Sequence, residues 1–324
     1  MGGKALKINT SRMTTKQLCD TFEQIKTIVK DNLGIDCTTN KSYRSKADHG
    51  DLDIIIPKID TNELLNFIKN TLKSKDIYIN TPVISFEYNN FQIDFILVEK
   101  EYLDTSRLYL SYDPFGNIMG KITFDLHLTY GMHGLYYQYR NYSGIDPFNI
   151  SISTDTEKIH TFFGLDYQLF NNVGFNTLEE IFDYIHSSRF YDNRILRPEN
   201  MRGRDRRRNK KRTTFHQFKE YSFKKQKTSQ YYGIAKEESF KLIIDFFPEC
   251  NLKEKINEQD QKIIIRNNLK EKLNGFVVMD CIPNINPKNI DFLISKFKNL
   301  FSNEAILNMS NEEIKNKIIE LNRE

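Results

Sequence analysis

The chain has 324 residues, 39% hydrophobic and 28% charged, with a net charge of +4, long enough to bury sizeable cores and to form more than one domain. No apolar run reaches the roughly 20 residues of a spanning helix and no apolar leader opens the sequence, which predicts a cytoplasmic protein with no membrane partner. Cys19, Cys37, Cys250 and Cys281 lie far apart without C-x-x-C spacing, which excludes a zinc ribbon or disulfide scaffold and predicts reduced, structural thiols.

In chain order, Thr14-x-x-Gln17 is a capping box ahead of Leu18, Phe22, Ile25, Val29 and Leu33 at helical spacing. A turn at 41–45 then leads into Gly50-Asp51-Leu52-Asp53-Ile54-Ile55-Ile56. Side chains alternate along a strand, so Asp51 and Asp53 share one face and Leu52, Ile54 and Ile56 the other. Two close carboxylates repel, and partial burial raises the cost unless a cation neutralises them. The bland alternative is an edge strand whose acids only discourage aggregation.

A helix over 61–73 and a short strand at 77–79 follow. Residues 84–88 and 91–98 then read as a hairpin turning at Asn89-Asn90. Phe91, Ile93, Phe95 and Leu97 take one face, leaving Asp94 on the other beside Gln92. If the hairpin pairs next to 51–56, Asp94 meets Asp51 and Asp53, a set able to hold two divalent ions.

At these residues the chain resembles the DNA polymerase beta-like nucleotidyltransferase superfamily, whose signature is a Gly-Ser turn, an Asp-x-Asp strand and a distant third Asp. Here it reads Lys41-Ser42-Tyr43-Arg44-Ser45-Lys46, Gly50-Asp51-Leu52-Asp53, then Asp94, with Lys41 in place of the family's turn Gly. The resemblance is to its terminal, tRNA or poly(A)-type transferases and covers residues 1–100 best. It implies Asp51, Asp53 and Asp94 as catalytic metal ligands for two Mg2+ ions, with Mn2+ as a substitute. It also implies Ser42, Arg44 and Lys46 as nucleotide contacts. His49 reads as a solvated loop residue, and His133 and His216 take no catalytic role.

Beyond residue 104, Asp113-Pro114 predicts a helix start before Ile118, Met119, Ile122 and Leu126, and 130–137 reads as a turn into a strand. The Gly116 and Gly120 pair lacks the third Gly and preceding strand of a dinucleotide fingerprint. Helices are expected at 154–163, 177–187 and 213–222. Residues 194–227 hold fourteen Lys and Arg against three Asp and Glu, a local +11 that leaves −7 for the rest. Such a block predicts a polyanion partner, with Arg202, Arg204, Arg206, Arg207, Arg208, Lys210, Lys211 and Arg212 as nucleic-acid contacts. Tyr191, Phe215, His216, Phe218, Tyr221, Phe223, Tyr231 and Tyr232 are expected to add stacking on bases. A solvated basic linker is the plain alternative.

The tail predicts helices at 236–246, 252–273, 287–301 and 311–322, and Leu273–Val278 with Pro287–Ile294 faintly resembles the distal helical region of tRNA nucleotidyltransferases. Heavy Lys, Ile and Asn usage suits an AT-rich genome, such as a virus's or phage's. The expected fold class is α+β: a small mixed-sheet nucleotidyltransferase domain with helices on one side, then a mostly α-helical C-terminal region. Expected divisions are a catalytic core at 1–104, a connecting α/β region at 105–192, a basic nucleic-acid-binding segment at 193–232 and a helical domain at 233–324. The expected activity moves a nucleoside monophosphate from an NTP such as ATP to a nucleic-acid 3'-hydroxyl, releasing pyrophosphate, with RNA favoured over DNA and no template. The alternatives are a polymerase beta-like DNA polymerase, or a transferase acting on a small-molecule or protein hydroxyl.

Overall fold

The computed structural model describes residues 3–139 and 148–323, and the chain divides into two units, the first running to Cys250 and the second from Asn251. A two-residue strand, β1 (Met13–Thr14), leads into helix α1 (Thr15–Leu33). The capping box forms as expected: Thr14 Oγ1 accepts from the Gln17 N–H, and Gln17 Oε1 accepts from the Thr14 N–H. The helix ends where Gly34 takes a φ of 68° and returns its N–H to Lys30 O.

Next come β2 (Thr38–Thr39), β3 (Asp48–His49), β4 (Leu52–Pro57), α2 (Thr61–Asn70), β5 (Ile77–Asn80), β6 (Val83–Tyr88) and β7 (Phe91–Val98). Five of these strands form a mixed sheet in the order β2-β4-β7-β6-β5, antiparallel except for the parallel pair β4–β7. The β6–β7 hairpin turns through Asn89 and Asn90 at φ of 51° and 68°, the left-handed pair a tight hairpin turn requires and Asn tolerates.

Alternation along the two central strands gives the sheet two unlike faces. Leu52, Ile54 and Ile56 join Ile93 and Phe95 in one core with Ile25 and Val29 of α1 and Leu64 and Ile68 of α2. Burying each such side chain is worth about 1.5–3 kcal/mol, which fixes α1 and α2 on this side. The other face is apolar only at one end, where Ile55, Ile96 and Val98 meet Leu103 and Leu110 of α3 (Leu103–Leu110). The rest of that face carries the acids.

After α3 the first unit continues with α4 (Phe115–Asp125), an antiparallel sheet of β8 (Leu128–Gly131), β9 (Gly134–Tyr139) and β10 (Phe148–Ser153), and helices α5 (Thr156–Phe162) and α6 (Leu178–Ser187). The basic segment folds into the same unit through α7 (Gly203–Asn209) and α8 (Thr213–Lys225). Three aromatics expected to stack on bases are core residues instead. Tyr191 and Phe218 are fully buried and Phe215 nearly so, with Tyr191 OH hydrogen-bonded to Ser222 Oγ and Phe218 edge-on to Phe182. Helix α9 (Lys236–Phe246) also belongs here, because Ser239 Oγ donates to Leu126 O and Phe246 packs on Phe162. The break therefore falls after Cys250 and not near 233.

The second unit is helical: α10 (Leu252–Lys272), α11 (Gly275–Cys281), α12 (Pro287–Leu300), α13 (Asn303–Asn308) and α14 (Asn311–Arg323). Leu269, Val278, Leu293, Phe297, Ile314 and Ile318 form its core. Asn274, just past the end of α10, starts α11 by accepting from the N–H groups of Phe276 and Val277. Among the described residues no helix is long and apolar enough to cross a membrane, and all four cysteines are free.

Candidate active site

Asp53 and Asp94 are register partners across the parallel β4–β7 pair. Adjacent strands run about 4.8 Å apart, so both carboxylates leave the same face as neighbours. Asp51 lies two residues before Asp53 and takes that face too. Asp53 is pushed up well beyond the ordinary carboxylate range by burial first, then by Asp51 and Asp94, with Lys46 and a hydrogen bond from Asn40 Nδ2 at 3.2 Å acting the other way. Burial also raises Asp94 and Asp51 adds to it, against hydrogen bonds from Ser85 and from Gln92 Nε2, the latter at 2.9 Å.

Asp51 thus works against the ionisation of both Asp53 and Asp94, and Asp94 against that of Asp53, a cost that a bound divalent cation would relieve. Oxygen-only donors suit Mg2+ or Mn2+ rather than zinc. The three share one face, but among the described residues no group of three or more His, Cys, Asp or Glu side chains is gathered closely enough to hold a metal ion as it stands.

Edge strand β2 frames Asp53. Thr39 Oγ1 donates to Asp53 O at 2.7 Å, and Asn40 Nδ2 is shared between Asp53 Oδ2 and Leu110 O. The turn that follows docks onto the 171–176 segment. Lys41 Nζ donates to Asn171 O, Arg44 Nη2 to Val173 O, and Arg44 Nη1 to Asn176 Oδ1 at 2.6 Å, while the Arg44 and Ser45 N–H groups reach Phe175 O and Asn176 O. Lys41 is thus an anchor of this turn. Of Ser42, Arg44 and Lys46, Lys46 alone borders the cleft above the acids. His49, read as solvated, is 4% exposed, because β1–β3 pairing sets it opposite Met13 and within 3.2 Å of Thr15 Oγ1.

That cleft has a volume of about 900 Å³ and lies wholly within the first unit. Asp51, Asp53, Tyr109, Asn117, Lys121 and Tyr130 are among its lining residues, and Asp94 is not. Lys121 is 8% exposed, and burial pulls its ammonium down to about 8; Asp205 opposes the shift and Arg212 and Arg208 reinforce it. Asn117 Nδ2 donates to Asn209 Oδ1, and the buried Asn117 Oδ1 and Tyr130 OH find no hydrogen-bond partner among the described residues. Of the eight basic residues singled out in sequence, Arg202, Arg208, Lys211 and Arg212 line the cleft. Arg204, Arg206, Arg207 and Lys210 are not among its lining residues, and Arg206 is turned to Pro198 O.

Asn40, Gln92 and Lys121 are the site residues that sequence reasoning passed over. Lys121 left a trace, as the lone cation between Ile118, Met119 and Ile122 in an apolar helix. Gln92 left one too, since alternation sets it beside Asp94 on the same face of β7; Asn40 left none, because its contact with Asp53 depends on the pairing of β2 with β4. No protein-family model matches the chain, and no curated protein matches it.

Proposed function

We propose that the first unit is a metal-dependent nucleotidyltransferase that moves a nucleoside monophosphate from an NTP to the 3'-hydroxyl of an RNA end without a template. The observation that carries this reading is the register pairing of Asp53 with Asp94 beside a cleft that Lys46, Lys121, Arg208 and Arg212 also line. Three acids alone would suit many roles. Asp51 and Asp53 lining one cleft with Lys46, Lys121, Arg208 and Arg212 suit a substrate that is polyanionic and reacts beside a cation.

Asp51, Asp53 and Asp94 would hold Mg2+. When bound there, Mg2+ offsets phosphate charge and makes the acceptor hydroxyl more acidic. The hydroxyl oxygen forms a new bond to the α-phosphorus; the bond from that phosphorus to the oxygen bridging the β-phosphate breaks, and pyrophosphate leaves with the electron pair. The hydroxyl proton passes to Asp94. Lys46 and Lys121 neutralise the triphosphate, and Arg208, Lys211 and Arg212 take phosphates of the acceptor strand. Asn40 and Gln92 keep Asp53 and Asp94 in place through their amide hydrogens.

The deciding experiment incubates the purified chain with Mg2+ or Mn2+, each labelled NTP and dNTP, and RNA and DNA primers. Expected is stepwise extension of RNA from an NTP, abolished in Asp53→Asn. Extension only of DNA from dNTPs would move the reading to a DNA polymerase, and no incorporation under any condition would overturn it.

A further inference from the structure

The segment ahead of β1 crosses the acid-bearing face and is pinned at both ends. At its far end the Lys7 and Ile8 N–H groups converge on Asp76 Oδ2 at 2.6 and 3.1 Å. Ser11 N–H donates to Asn90 O at 2.8 Å, and Arg12 pairs with Asp48 at 2.6 Å. At its near end Gly3 N–H donates to Asp51 Oδ2 at 3.2 Å. Gly3 has φ of +80°, and a Cβ there would meet Gly50 O at 2.2 Å, so glycine alone lets the backbone come this close to the Asp51 strand.

Between these anchors, Ala5 N–H donates to Gln92 Oε1 at 2.9 Å, and Gln92 Nε2 donates to Asp94 Oδ1 at 2.9 Å. Gln92 is 2% exposed. An amide that turned over would aim its oxygen at a carboxylate and lose both bonds. The Ala5 N–H therefore decides which end of Gln92 faces Asp94. One continuous backbone segment thus touches the first acid directly and the third through a single buried side chain.

We propose that Gly3–Arg12 is a positioning strap whose docking sets Asp51 and Asp94 for a divalent cation, with Gln92 the positioning residue between strap and acid. This rests on the metal-dependent reading of the site. Outer partners of metal-binding carboxylates typically govern about 10–100-fold in metal affinity, and strap and cation stabilise each other's binding because linkage is reciprocal.

The test is Mn2+ binding to the full chain without nucleotide, followed by electron paramagnetic resonance, in wild type, Gly3→Ala, Ala5→Pro and Gln92→Met. Ala5→Pro removes the N–H that orients Gln92, and Gly3→Ala lifts the strap from Gly50; both lie outside the sheet, which keeps the test open if Gln92→Met does not fold. Expected are a roughly tenfold or larger loss of Mn2+ affinity in each folded variant with the melting temperature nearly unchanged, and slower exchange of the Gly3 and Ala5 amides when Mn2+ is added to wild type. Wild-type affinity in Ala5→Pro and Gly3→Ala would overturn the strap and leave the metal site standing. Failure of the wild type to bind Mn2+ would remove both.

Discussion

Asp53 and Asp94 face each other across the only parallel strand pair of the five-stranded sheet. In that register the two carboxylates share a face with Asp51, and a one-residue slip of either strand would send its acid into the helix-covered core. The apolar residues that alternate with the acids, Ile54 and Phe95 among them, therefore hold the acids in place.

The first prediction follows from the sign of the Asp53 shift. Its folded value lies above the unfolded value near 3.8, so the folded chain binds that proton more tightly. The penalty is absent below the unfolded value and is fully present above the folded one, so metal-free stability falls as pH rises between them. Asp53→Asn removes the charge at nearly constant volume. In EDTA it should melt higher than wild type at pH 8 and equal to it at pH 4; a gain on the order of 1 kcal/mol corresponds to about 2–4 °C for a unit of this size. Mg2+ should raise the wild-type midpoint at pH 8 and leave the variant nearly unmoved. A variant that melts lower than wild type at pH 8 would count against the reading.

Lys121 shifts in the opposite sense. Its ammonium falls from 10.5 to about 8 on folding, so stability rises with pH across that window and the penalty is fully present below it. Lys121→Met should stabilise the protein at pH 7, by up to about 3 kcal/mol at roughly 1.36 kcal/mol per pH unit, and should have no effect above pH 10.5. Pyrophosphate bound nearby would restore the proton, so its affinity should drop as pH rises through 8 in wild type and stay flat in the variant. Calorimetric titration at pH 7 and 9 measures both.

Arg44 and Lys46 should separate cleanly. Arg44 is bound to Val173 O and Asn176 Oδ1, so Arg44→Ala should loosen the 171–176 contact and cost about 1 kcal/mol of stability with little change in KM for NTP. Lys46 borders the cleft and lowers Asp53, so Lys46→Ala should raise KM and leave the melting point near wild type. Steady-state kinetics with melting curves checks the pair, and the reverse pattern would return Arg44 to the triphosphate.

The parts of the fold that local chemistry dictates were legible in sequence. The Thr14–Gln17 box, the Asn89-Asn90 turn and the alternation around Asp51, Asp53 and Asp94 each need only a few neighbouring residues. What was not legible depends on distant contacts. Phe215, Phe218 and Ser222 lie on a buried face of α8, yet the surrounding Lys and Arg dominate the local composition and hide that spacing. Likewise Arg208 lines the acid cleft while Arg207, its neighbour in the chain, does not, a distinction set by which side of α7 meets the unit.

That distinction yields the last prediction. Arg208 and Lys211 line the cleft with Asp51 and Asp53, whereas Arg204 and Arg207 do not, although all four contribute equally to the +11 block. If cleft position governs, Arg208→Gln with Lys211→Gln should weaken RNA binding and flatten its salt dependence by about 1.4 log units, at roughly 0.7 per contact on a single strand. Arg204→Gln with Arg207→Gln should change the slope far less. The cleft pair should also slow incorporation at saturating RNA, since misplacing an acceptor strand beside Asp53 and Asp94 disturbs the alignment on which in-line attack depends. Titrating labelled RNA at several salt concentrations against both doubles decides the matter. Equal losses would mean that the block acts as diffuse charge, and no loss in either would mean a solvated surface and would favour a transferase for small hydroxyl substrates.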